Sequence, residues 1–174
     1  QDAIGDFMMW LDTAKEYRKL YPPDKYKIIL AGNKIWCDLA EELPYWDEVI
    51  PVDSIQFKTF SLYRRNLLWQ IRNLKADTAI QPTFSREFYN GDSIVRASKA
   101  SRKVSSVGNM GNRNLLKQLI ADRWHTELIP VSSEPLTELE RNAEFFSGLS
   151  HSPQLISYPQ LDIPKYWLSS EWKD

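Results

Sequence analysis

The chain has 174 residues, 43% of them hydrophobic and 26% charged, which suits one globular domain or one domain with a short tail. Lys and Arg number 22 against 23 Asp and Glu, and the net charge of −1 excludes a global field for nucleic acid or an anionic membrane. Mean hydropathy is −0.47, no apolar run approaches the ~20 residues of a membrane span, the lone Cys37 excludes an internal disulfide, and the shortage of Cys and His speaks against structural zinc.

In chain order, Phe7, Trp10, Leu11, Ala14, Tyr17 and Leu20 follow a helical period from Gly5 to Tyr21, and Pro22-Pro23 stops that helix. Tyr26–Ala31 reads as a strand ending at Gly32, Lys34–Leu43 as a short helix closed by Pro44, and Glu48–Val52 as a second strand. Phe60, Tyr63, Leu67, Ile71 and Leu74 predict a helix over 59–74, with Arg64, Arg65 and Arg72 largely off its apolar stripe. A third strand over 77–81 ends at Pro82, a weaker helix runs over 85–97, and a fourth strand covers 103–107. A glycine- and asparagine-rich stretch leads into a helix over 112–122, and Leu139, Ala143, Phe146 and Leu149 mark a stronger one over 137–149.

Strands alternating with helices call for an α/β layered sheet, mainly parallel. Such a unit normally opens with a strand, whereas this one opens with a helix and with Gln1 rather than Met, and no signal-peptide pattern is present. The expectation is a fragment whose first strand, central in a doubly wound sheet, is lacking.

Three stretches are candidates for chemistry. Ala3-Ile4-Gly5-Asp6 puts a glycine and a carboxylate at a helix N-terminus, where Asp6 serves either as a helix cap or as a base and orienting group. Gln81-Pro82-Thr83-Phe84-Ser85-Arg86 leaves the carboxyl end of a strand, with Arg86 read as either an anion-binding or a solvated arginine. Arg96, Lys99, Arg102 and Lys103, with Arg113, form a basic cluster around the last strand, either an anion-binding rim or a solvated face. His125 and His151 stand alone, without Cys or carboxylate at metal-ligand spacing, and Cys37 reads as a buried small hydrophobe. No P-loop, G-x-G-x-x-G or G-x-S-x-G motif occurs, which disfavours a flavodoxin-like domain.

The run from Ala3 to Pro22, A-I-G-D-F-M-M-W-L-D-T-A-K-E-Y-R-K-L-Y-P, resembles the opening of the heptosyltransferase family, bacterial glycosyltransferase family nine, with Leu11-Asp12-Thr13 in place of its Thr-Pro-Ala region. Leu43–Ile50, Leu74–Ile80, Arg102–Gly108 and Glu140–Leu149 resemble further family segments, in the same order. The resemblance implies a Rossmann-like parallel sheet flanked by helices, the N-terminal half of a GT-B glycosyltransferase: an acceptor-binding domain over 1–149 and, over 150–174, a linker to a nucleotide-sugar-binding half. It implies inverting, metal-independent transfer of a heptose or related sugar to a lipopolysaccharide-core-type acceptor, with Asp6 as the base. Gly5, Gln81, Thr83, Ser85, Arg86 and Arg102 are then substrate-binding residues. No cofactor is expected, a donor such as ADP-heptose would bind the other half, and this stretch alone would be inactive. The protein would be cytoplasmic, meeting the inner membrane through its substrate, with no nucleic-acid partner. The alternative is a non-catalytic α/β ligand-binding or interaction module.

Overall fold

A computed structural model describes residues 3–109, 111 and 114–153. The linker expected over 150–174 therefore lies mostly outside the described residues. The chain packs as two compact units that divide after Val52.

The first unit holds α1 (Ile4–Ala14), α2 (Tyr17–Leu20), β1 (Ile29–Asn33), α3 (Lys34–Glu41) and β2 (Glu48–Val52). The single helix expected up to Tyr21 is broken at Lys15–Glu16: Thr13 Oγ1 bonds back to the Trp10 carbonyl at 3.1 Å, offering the backbone a competing partner near the end of α1. β1 pairs in parallel with β2, from Ile29↔Glu48 to Asn33↔Val52. It starts later than expected because the Ile28 N–H donates to the Asp47 carboxylate at 2.7 Å instead of to a strand. That same bond, helped by Arg18, holds the Asp47 carboxyl below the usual carboxylate range.

The core of this unit is aromatic. Phe7 stacks on Trp36 at 4.2 Å, and Trp10 stacks on Trp46 at 5.9 Å, while Leu11, Ala14, Ala40 and Leu43 fill between them. Gly32 stays in β1 rather than ending it, for a steric reason: a Cβ there would meet the Trp36 ring at 1.8 Å. Cys37 is buried as expected, its thiol directed at the Gly32 and Asn33 carbonyls, and burial pushes the thiol pKa up to about 11.

The second unit holds α4 (Ser54–Lys58), α5 (Leu62–Asn73), β3 (Thr78–Gln81), α6 (Gly91–Ser98), β4 (Arg102–Ser106), α7 (Leu115–Asp122), β5 (Glu127–Ile129) and α8 (Glu138–Ser150). Its strands lie in the order β3-β4-β5, all parallel. The expected α/β class with parallel strands flanked by helices is what the chain adopts, as a two-stranded and a three-stranded sheet. Thr137 and Glu140 form a reciprocal capping box at α8, and His151 closes the same helix in the left-handed region, which accounts for that lone histidine.

Two sequence expectations reverse here. Arg64 turns inward, donating to the carbonyls of Phe57 and Tyr89 and to Ser93 Oγ, with its guanidinium 4.3 Å from the Phe57 ring centre. Phe60, placed on the apolar stripe by its spacing, precedes α5 and is 91% exposed.

Candidate functional site

In the first unit the candidate is the N-terminal turn of α1. Asp6 is exposed there, and its Oδ2 accepts the Ala3 N–H at 3.1 Å, so it ties down one of the donors that a helix start leaves unbonded. Among the described residues its Oδ1 accepts no hydrogen bond. Gly5 precedes it in the same turn, and a Cβ added there would meet nothing within 4 Å. The capping function and an available carboxylate oxygen thus coexist on one side chain.

In the second unit the candidates fall at opposite ends of the sheet. Gln81 ends β3 and pairs in register with Ser105, whose hydroxyl donates to the Gln81 carbonyl and to its side-chain Oε1. Gly91 permits this packing, because a Cβ there would strike Gln81 Nε2 at 2.1 Å. Beyond the strand, Thr83 is half-buried and Ser85 Oγ accepts from Asn109 Nδ2 at 3.1 Å. Asn109 also donates its N–H to the Phe84 carbonyl and its Oδ1 receives Gly111 N–H, so the loops after β3 and β4 are laced together at the carboxyl rim. Parallel sheets bind ligands at this rim.

Arg102 does not belong to it. It opens β4, pairs with Thr78 at the amino end of the sheet, and binds the Glu127 carboxylate at 3.0 Å. Three residue steps along β3 separate the two ends, about 10 Å. Arg102, expected among the substrate-binding residues and in a basic cluster around the last strand, here meets an acid on the neighbouring strand.

Arg86, expected as a substrate-binding residue, is placed in the interior of the second unit. Its side chain is 0% exposed, so it is not a solvated arginine. Its Nε donates to Asp92 Oδ1 at 2.9 Å, and its Nη1 to the Ser106 carbonyl at 2.9 Å and Asp122 Oδ1 at 3.0 Å. Its Nη2 lies 3.2 Å from His125 Nδ1. One guanidinium fork thus bolts the loop after β3 to the end of β4, to α6 and to α7. The helix expected over 85–97 begins only at Gly91 because the preceding residues follow this anchorage.

His125, read as a lone histidine, is part of that cluster, with a fully buried side chain. Its Nδ1 lies 3.2 Å from Arg86 Nη2 and 3.0 Å from the Ala121 carbonyl, and its Nε2 lies 3.8 Å from Asp92 Oδ1. Burial, reinforced by the Arg86 charge, lowers the His125 pKa below 6.5, outweighing the Ala121 carbonyl and the two carboxylates. The folded state therefore binds fewer protons here than the unfolded state. This contribution to stability is complete above the unfolded value of ~6.5 and is lost as pH falls below it toward the lowered folded value. Denaturation midpoints are expected to fall between pH 7 and 5, and His125→Gln to flatten that slope; an unchanged slope in the variant would refute the assignment.

Among the described residues no group of three or more His, Cys, Asp and Glu side chains could hold a metal ion, and no helix is long and apolar enough to cross a membrane.

Neither a protein-family model nor a curated protein sequence matches the chain. Among solved structures it is similar to the ADP-heptose LPS heptosyltransferase II of E. coli, with a TM-score of 0.63 and 17% identity over 97% of this chain. The fold is glycosyltransferase-like. The chain spans 46% of that enzyme's length, so the likeness covers about half of a glycosyltransferase-like molecule.

Proposed function

We propose that this chain is the acceptor-side half of a GT-B sugar transferase of heptosyltransferase kind. It would act with a nucleotide-sugar such as ADP-heptose, held by another half, and a lipopolysaccharide-core-type acceptor. The observation that carries the reading is the fold likeness over 97% of the chain. It is supported by an exposed carboxylate at the first turn of α1, beside a glycine with open space around it.

In this reading Asp6 Oδ1 takes the proton of an acceptor hydroxyl. The hydroxyl oxygen attacks the anomeric carbon of the donor sugar, a new C–O bond forms, and the bond to the nucleotide diphosphate breaks with its electron pair leaving on phosphate oxygen. Attack opposite the leaving group inverts the anomeric configuration. Most of the rate comes from alignment and one base, and the chemistry asks for no metal from this half. Thr83, Ser85 and the amide groups of the second unit's rim suit hydrogen bonding to sugar hydroxyls, while Arg86 supports that rim from beneath.

The test is Asp6→Asn in the natural gene product, assayed for heptose transfer from ADP-heptose. Asparagine keeps an oxygen for the Ala3 N–H, so folding is preserved. The expected result is a fall in kcat of about a hundredfold or more with acceptor KM little changed. Full activity in the variant would leave Asp6 as a helix cap alone and favour a non-catalytic module.

A further inference from the structure

We propose that Arg141 is a positioning residue for the acceptor rim of the second unit: it fixes Phe84 between the rim residues Thr83 and Ser85 and ties it to the loop after β5. The inference rests on the transferase reading. Arg141 is the fourth residue of α8, near the positive end of the helix dipole, where a cation does not help the helix. Its reason lies outside the helix. The side chain is 10% exposed. Its Nη1 donates to the Ser132 carbonyl at 2.9 Å and to Glu144 Oε2 at 3.0 Å, and its Nη2 donates to the Glu134 carbonyl at 2.6 Å. The same guanidinium lies over the Phe84 ring, 4.4 Å from its centre. A guanidinium bonds in its plane and stacks on its face at once, which an ammonium cannot do.

Phe84 is where this grip reaches the rim. Its carbonyl accepts the Arg86 and Asn109 N–H groups at 3.1 and 3.3 Å, and Asn109 Nδ2 donates to Ser85 Oγ. The loops after β3, β4 and β5 are therefore joined through one aromatic residue, with Thr83 before it and Ser85 after it. Glu144 holds the loop after β5 independently, its Oε1 accepting the Ser132 N–H at 2.6 Å. Removing the guanidinium thus leaves that loop attached to α8 but frees Phe84 to shift. The consequence falls on alignment. A displacement of about 1 Å at a positioning group costs an enzyme up to about a hundredfold, and here the loss falls on the hold on the acceptor. The base, Asp6, belongs to the first unit and is not among the contacts of Arg141.

The natural gene product is to be assayed for heptose transfer from ADP-heptose to heptose-deficient lipopolysaccharide. Arg141→Gln is expected to raise the acceptor KM about tenfold, with kcat and the donor KM within about twofold of the parent. Arg141→Lys keeps a cation for Phe84 but has one ammonium for two carbonyls, so it should recover part of that loss. Phe84→Leu should raise the same KM, and adding it to Arg141→Gln should cost little more, because both changes break one contact. Amide hydrogen exchange gives a readout that needs no substrate. In Arg141→Gln the Asn109 N–H, bonded to the Phe84 carbonyl, should exchange about tenfold faster while the β3–β4 ladder keeps its protection. A parent that transfers no heptose overturns the transferase reading and the acceptor role with it. With a parent that does transfer, an unchanged acceptor KM in Arg141→Gln overturns the role of Arg141 alone, as does unchanged exchange at Asn109. If Arg141→Gln does not fold, Phe84→Leu decides by the same criterion: a parent-like acceptor KM overturns the proposal.

Discussion

Arg86→Met is expected to lower the stability of the second unit by about 3–5 kcal/mol, seen as a lower denaturant midpoint at unchanged m-value. Methionine matches the arginine stem in length but supplies none of its donors. The Asp92 side chain, 0% exposed, loses the cation 2.9 Å away, and the Ser106 carbonyl and Asp122 lose theirs in the same step. Domains are stable by only about 5–15 kcal/mol, so the loss is a large fraction of the whole. Lysine does not substitute, because a single ammonium cannot reach partners on α6, β4 and α7 that the guanidinium serves in one plane. Adding Asp92→Leu to Arg86→Met should recover part of the loss, since it removes the buried carboxylate together with its cation. A change within about 0.5 kcal/mol, the usual size for a surface position, would show that Arg86 does not hold the unit together.

Phe7→Ala is expected to cost the first unit about 3–5 kcal/mol. Phe7 is 2% exposed and touches three indoles, stacked on Trp36 and tilted against Trp10 and Trp46 at 6.4 and 6.3 Å. The site cannot close readily over the missing ring. Trp36 is held against β1 at Gly32, and Trp46 is tied by its indole N–H to the Ala40 carbonyl at 2.6 Å. The cavity therefore persists, and its lining loses contacts that nothing replaces. Thermal melts followed by near-ultraviolet circular dichroism would report both the lost stability and the altered indole packing. Phe7→Leu should recover much of the stability. Equal melting of Phe7→Ala and the parent would place the core of this unit elsewhere.

Local signals carried much of the fold. β2 occupies the residues read as a strand, Glu48–Val52, and β3 and β4 lie within a residue of expectation, because short β-rich runs bounded by turn residues have few other readings. Two elements were not legible for lack of length. α4 depends on a single cap, Asp53 accepting from the Ile55 and Gln56 amides, and β5 has three residues, its register supplied by β4. Phe60 fitted a helical stripe by spacing, but Ser61 caps α5 immediately after it, so the stripe begins one turn later. The candidate site divided in the same way. Asp6 was visible because its role as a helix-start carboxylate is local. The environments of Arg86 and His125 were not, because their partners are up to 39 residues apart in sequence and meet only when the loop, α6, β4 and α7 come together. Periodicity reports which face of an element is apolar. It does not report which polar side chain the fold closes over.

The two short sheets carry a consequence for self-association. Among the described residues β1 pairs with β2 alone, and β3 with β4 alone. Each outer strand thus presents one row of backbone donors and acceptors to whatever lies beside it, and an extended segment can lengthen a sheet there by ordinary strand pairing. Growth of that kind is open-ended: every strand added becomes the next template, so the product is a polymer with no preferred stoichiometry rather than a closed dimer. What restrains it is brevity, since β1 has five residues and β3 four, too little ladder to hold a loose segment without packing against the helices as well.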